Sequence, residues 1–116
     1  MLIGVIAFSS GVEMTTATPD SSELNLDKLS MAVAMTETHN CNEKRGSSLV
    51  NNCHGFKSKG KFISFTTTAQ SHEYFKKLWV KGYGGTFPTY RTARIYSGND
   101  KPTIWLNSVR YYYNNL

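Results

Sequence analysis

Glu37 follows the most apolar helical stretch of the chain, in Ala34-Met35-Thr36-Glu37-Thr38-His39-Asn40-Cys41. Fourteen residues later the chain reads Asn51-Asn52-Cys53-His54-Gly55-Phe56. A carboxylate delivered by a buried helix beside an Asn-rich turn is suited to general-acid work on a sugar chain. An acid that protonates a leaving glycosidic oxygen near neutral pH needs a raised pKa. Partial burial supplies this, because the charged form loses its water. The negative end of the helix dipole acts in the same direction. Glu37 continues a stripe made by Leu26, Leu29 and Val33, which places it for that role. The competing reading is a helix-end Glu with its head in water.

The two cysteines, Cys41 and Cys53, flank the same region. A disulfide between them would close a loop and hold Glu37 beside Asn52, with a chain-entropy gain of about 3 kcal/mol. Zinc is the rival, since His39, Cys41, Cys53 and His54 offer two imidazoles and two thiolates. Their spacing matches no common zinc finger, so the expected metal content is none; free thiols are the third alternative. His39 and His54 otherwise read as groove-lining or solvated, and His72 as a helix-surface residue. Lys57, Lys59 and Lys61 precede Phe62 and Phe65, a pattern that a single-stranded nucleic-acid platform would also show. Solvated hairpin charge explains it more simply, and no nucleic-acid partner is expected.

Positioning these groups requires a small set of elements. The spacing predicts a first helix from about Asn25 to Thr38, apolar on most of its surface and therefore suited to a core. A polar loop over residues 39–52 follows. Two short strands, His54–Lys57 and Lys61–Phe65, would pair around Ser58-Lys59-Gly60. A second helix is expected from Ala69 to Lys81, with Thr68 as cap and Gly82 as stop. Pro88 would open a third helix to about Ser97. Pro102, after a possible Asp100 cap, would open a fourth. On that helix Trp105, Val109 and Tyr112 recur at helical spacing. Tyr111, Tyr112 and Tyr113 cannot share one face, so at least one must be exposed. The expected fold class is α+β, mainly α, with a small β-hairpin.

Length and composition set the outer bounds. The 116 residues make one domain, able to bury roughly two thirds of its unfolded surface. Residues 1–23, rich in Ser, Thr, Gly and Pro beyond an apolar start, read as an N-terminal arm, linker or export-signal remnant. Residues 24–116 form the domain. The net charge of +5 suits an anionic polymer partner. Seven Tyr, six Phe and two Trp suit a groove that grips ring-shaped polar ligands, although most must fill a small core. No apolar run approaches the roughly 20 residues of a membrane-spanning helix. No phosphate-binding glycine loop is present, and no cofactor is expected.

The order of these features resembles the lysozyme-like superfamily, closest to the glucosaminidases of glycoside hydrolase family 73 and small phage or bacterial peptidoglycan hydrolases. The motifs are the helix ending in Glu37, the strand-like Asn52-Cys53-His54-Gly55-Phe56-Lys57, the aromatic hairpin and a following helix. Tyr96-Ser97-Gly98-Asn99-Asp100 and Trp105-Leu106 close the domain in a similar way. The resemblance covers about residues 24–113. It implies cleavage of the β-1,4 bond in peptidoglycan glycan strands, with Glu37 as general acid. It also implies substrate contacts or groove-shaping roles for Asn51, Asn52, Gly55, Phe65, Tyr96 and Asp100, and a secreted, periplasmic or phage-particle location. The family often carries a second carboxylate in or near the hairpin; here Lys57 to Phe65 contains none. Glu43 and Asp100 are the nearest substitutes by order. Three readings accommodate that departure: attack by the sugar's own N-acetyl group, attack by its 6-hydroxyl as in a lytic transglycosylase, which needs one Glu, or a weakly active or non-catalytic cell-wall-binding or phage structural module.

Overall fold

Asn25 starts the first helix because its side-chain oxygen accepts from the Lys28 N–H, and Asp27 adds a negative charge to the first turn. The helix, α1, spans Leu26–Thr38. It belongs to a computed structural model that describes residues 24–41, 50–98 and 101–116. The expected arm over residues 1–23, and with it Glu43 and Asp100, lies outside the described residues. The chain then forms a two-stranded hairpin of β1 (Lys57–Ser58) and β2 (Lys61–Phe62). Helices α2 (Thr68–Tyr83), α3 (Tyr90–Tyr96) and α4 (Pro102–Asn114) follow. The architecture is α+β and mainly helical, as the sequence pattern indicates.

α1 is the central element and packs against α4 and α2, while α3 packs against α4. Leu29, Ala32, Val33 and Ala34 have no exposed surface. The alanines let neighbouring segments approach closely, and each large apolar side chain buried contributes about 1.5–3 kcal/mol. Phe75, Trp79 and Tyr83 recur every fourth residue on α2. With His54 they form a near-parallel stack, with ring centroids 4.9, 5.3 and 4.4 Å apart in sequence. Trp105, Leu106, Val109 and Tyr113 complete the core from α4.

Several element boundaries differ from expectation, each for a local reason. The α2 cap is Thr67, which accepts from the Gln70 N–H, one residue earlier than expected. Gly82 does not stop the helix. The following Tyr83 stacks on Trp79 four residues before it, which offsets the cost of about 1 kcal/mol of a helical glycine. Gly84, at φ 76°, ends it instead. α3 begins at Tyr90 rather than Pro88, because Thr89 and Thr92 form a reciprocal capping box. α4 opens on Pro102 as expected, but its cap position falls on Lys101, whose side chain makes no capping bond. The strands are shorter than expected. They pair Lys57 with Phe62 and Ser58 with Lys61 around Lys59-Gly60. Both loop residues have positive φ, as a tight two-residue hairpin turn requires.

The expected strand residues 54–56 are not strand: His54 lies in a turn and Gly55 and Phe56 are irregular. The Asn52 side chain takes the strand partner's role: its oxygen accepts from the Phe56 N–H, and its amide donates to the Phe56 and Ile63 carbonyls.

Candidate active site

The end of α1 is fixed by three successive left-handed residues, His39, Asn40 and Cys41, at φ 52°, 59° and 71°. Such conformations cost roughly 1–2 kcal/mol each for L residues, so surrounding contacts must hold them. The Asn40 N–H reaches back to the Ala34 carbonyl and the His39 N–H to that of Met35. The Thr38 hydroxyl accepts from the Cys41 N–H at 2.7 Å and donates to the Cys53 carbonyl at 2.8 Å. Cys41 and Cys53 are joined in a disulfide, with Cα atoms 4.5 Å apart. Their sulfurs are thereby bonded to each other rather than available as zinc ligands. Together these contacts clamp the residue after Glu37 to the Asn-rich turn.

Glu37 is half-buried in the wall of a cleft of about 330 Å³. Its Oε2 accepts from the Trp105 indole N–H at 2.7 Å. Gly55, at φ 72°, lies against its other oxygen: a Cβ built there would sit 3.2 Å from Oε1. The turn therefore needs glycine for two reasons, the left-handed backbone and the room taken by the carboxylate. Tyr96 and Ser97 from the end of α3 line the same cleft, with Lys101 and Ile104 at the start of α4. The Tyr96 ring lies 5.2 Å from that of Trp105, and its hydroxyl donates to the His54 carbonyl at 2.9 Å. Burial, and secondarily the Glu37 carboxylate and Tyr83, hold the Tyr96 phenol well above its ordinary range. Tyr96 is thus a fixed neutral donor that supports the turn bearing Gly55.

The remaining expected site residues are placed as follows. Asn52 is buried, and its amide is engaged by backbone, so it shapes the turn behind the cleft. Asn51, at φ 54°, donates to the Phe65 and Thr66 carbonyls and ties the turn to the segment after the hairpin. Phe65 packs on Phe56 and Tyr74 and is not among the cleft-lining side chains. The structure thus brings Gly55 and Tyr96 to Glu37, while Asn51, Asn52 and Phe65 act on the frame.

The expectation that His54 lines a groove or is solvated is corrected: its side chain has no exposed surface. Its Nε2 lies 3.0 Å from the Ser30 carbonyl, which can only accept, so Nε2 carries the proton. Nδ1 then accepts from the Ser71 hydroxyl at 2.7 Å, which in turn accepts from the Cys53 N–H. Burial, reinforced by nearby His72, drives the His54 pKa down to about 3 despite the Ser30 carbonyl. His72 is also more than a surface residue. It is half-buried, with Nδ1 2.6 Å from the Ser30 hydroxyl, and burial followed by Lys76 lowers its pKa against the pull of Asp27 and Glu73. Among the described residues, no cluster of three or more His, Cys, Asp or Glu is arranged to hold a metal.

The sequence reading missed Trp105 as the partner of Glu37, and Thr38 as the residue that locks the helix end. Trp105 sits on the core stripe of α4, where packing alone explains an indole; only its N–H needs a further partner. A Thr beside a candidate acid and three residues before a Cys was the available signal for Thr38. No family model matches the chain, and neither the curated proteins nor the solved structures include a significant match to it.

Proposed function

We propose that the chain is a peptidoglycan-cleaving enzyme that acts on β-1,4 glycosidic bonds with Glu37 as general acid. The observation that carries this reading is the setting of the Glu37 carboxylate. It lies in a cleft wall, oriented by the Trp105 N–H and backed by Gly55. A fixed, half-buried carboxylate beside aromatic rings is what proton delivery to a bound saccharide requires. Lys101 adds a positive charge to the cleft, and the net charge of +5 favours contact with an anionic wall polymer.

Glycosidases commonly pair two carboxylates across the scissile bond. Among the described residues lining the cleft, Glu37 is the sole acid. The hairpin stretch Lys57 to Phe65 also carries no Asp or Glu, and we read the reaction as a single-acid one, in which Glu37 protonates the leaving oxygen and the sugar's own 6-hydroxyl attacks the anomeric carbon. The glycosidic C–O bond breaks, a new intramolecular C–O bond forms, and the hydroxyl proton returns to the carboxylate. The same observation supports a second reading, a wall-binding module that lacks catalysis.

Digestion of purified sacculi, with mass spectrometry of the released fragments, tests both. Anhydro ends are expected from the wild type, and Glu37→Gln should lower release at least about 100-fold while melting normally. Reducing ends would instead indicate hydrolysis. Wild-type release by Glu37→Gln would remove the enzyme reading, and sacculus binding with no soluble products from the wild type would favour the binding module. No helix among the described residues is long and apolar enough to cross a membrane, and the internal disulfide accords with an oxidising, extracellular setting.

A further inference from the structure

We propose that the glycan site continues along the outer face of α4 as a second, non-reacting sugar subsite built on Tyr111 and Asn107; this rests on reading the Glu37 cleft as a glycan site. A second hollow of about 310 Å³ adjoins the first and shares Ile104 and Ser108 with it. Asn107, Tyr111 and Tyr112 form its far side. Ile104, Ser108 and Tyr111 follow one another at four and three residues, so they make one stripe on the helix, with Tyr112 at its edge. From Ile104, which borders both hollows, to Tyr111 the stripe advances about 10 Å at the rise of an α-helix. That is the scale of two pyranose rings, so a chain engaged at Glu37 reaches the Tyr111 end without bending away.

The chemistry at that end suits a sugar. Tyr111 is exposed, but its ring is held edge-to-face against Tyr112 with centroids 5.3 Å apart. Tyr112 is itself partly buried against the core. The platform is therefore preorganised, which lowers the entropy lost on binding. Asn107 is exposed one turn earlier on the same face, with an amide that both donates and accepts. Ser108 is small and leaves a floor between them. A pyranose presents an apolar C–H face to an aromatic ring and hydroxyls at its rim, and Tyr111 with Asn107 offers both partners. Ile104, 62% exposed, sits at the junction of the two hollows, where a bound chain would cover it. A polymer substrate extends past the bond being cut, and contacts made there can align that bond over Glu37.

Calorimetric titration of full-length Glu37→Gln protein with two soluble glycan fragments, a disaccharide and an octasaccharide from peptide-free sacculi, tests the subsite. In that background Tyr111→Ala should weaken octasaccharide binding about tenfold. Disaccharide binding at the cleft should change by less than about twofold, and Tyr111→Trp should restore the octasaccharide affinity. Asn107→Ala, at an exposed helix position, should give a smaller loss with the same length dependence. Equal weakening of both fragments, or no effect of Tyr111→Ala on the octasaccharide, would overturn the subsite while leaving the Glu37 reading intact. If Glu37→Gln binds neither fragment, the glycan reading itself fails and the subsite with it.

Discussion

At the scale of single residues, the candidate site depends on how a carboxylate is aimed. Glu37 is contacted from opposite sides by an indole N–H and by a residue without a side chain. Gly55→Ala tests the second contact. The substitution places a methyl 3.2 Å from Glu37 Oε1 in a left-handed backbone, so the carboxylate or the turn must shift. A stability loss of about 1–2 kcal/mol is expected from urea unfolding. Fragment release from sacculi should fall by more than that loss explains, measured where the variant is fully folded. Trp105→Phe tests the first contact. It keeps an aromatic ring in the core but removes the donor, and should cost about 1–3 kcal/mol with a lower release rate. Unchanged release would show that the indole N–H plays no part in aiming the acid.

At the scale of elements, the junction between α1 and the 50–56 turn holds the site together. The helix closes in three successive left-handed residues; His39 and Asn40 are types that tolerate that conformation, but the run through Cys41 is held by the disulfide and the Thr38 hydroxyl. Reduction, or paired Cys41→Ser and Cys53→Ser substitution, should therefore act on both stability and activity. Closing a loop of this length contributes about 3 kcal/mol, so a clear drop in the thermal midpoint is expected. Residues 39–41 should also become more exposed to amide hydrogen exchange than the middle of α1. Equal protection in the oxidised and reduced proteins would contradict this account. The hairpin strands are short and mostly exposed; the Asn52 amide, the Ile63 N–H to the Phe56 carbonyl and the Phe65 N–H to the Val50 carbonyl tie the hairpin and the segment after it to the turn.

At the scale of the molecule, buried polar groups set the response to acid. His54 is neutral and enclosed by Ser30, Ser71, Phe75 and His72. The unfolded chain protonates this ring near its ordinary value of 6.5, the folded chain only near about 3. Between those values the unfolded state binds more protons, so stability falls as pH drops through that window and levels off below it. His72 acts in the same direction because its pKa is also lowered. The loss attributable to His54 is on the order of 4 kcal/mol by the acid end of the window. Urea midpoints measured at pH 7 and pH 4 should show this fall. His54→Gln, which cannot titrate, should be less stable at pH 7 yet show a flatter pH dependence. An equally steep acid loss in that variant would place the effect elsewhere.

The sequence alone determined the helices, the hairpin turn and the stripe that carries Glu37 to the end of α1. These follow from nearest-neighbour physics: apolar spacing along a helix, Pro102 at a first turn, and a turn around Ser58-Lys59-Gly60, although Ser58 itself pairs in β1 and the turn narrows to Lys59-Gly60. The boundaries it misplaced, at Gly82 and at Pro88, were decided by Tyr83 stacking on Trp79 and by the Thr89–Thr92 box. The second of these is local and readable; the first depends on how the core packs. Tertiary structure alone decided what surrounds Glu37. Trp105 lies 68 residues away in sequence, and a single side-chain proton selects it as the partner. Tertiary structure likewise turned Asn52 and His54 inward, because unpaired backbone groups of the 52–56 turn and the hydroxyls of Ser30 and Ser71 must find partners once water is excluded. Periodicity shows which face of an element is buried, whereas the pairing of polar groups in that interior is settled only when distant segments meet.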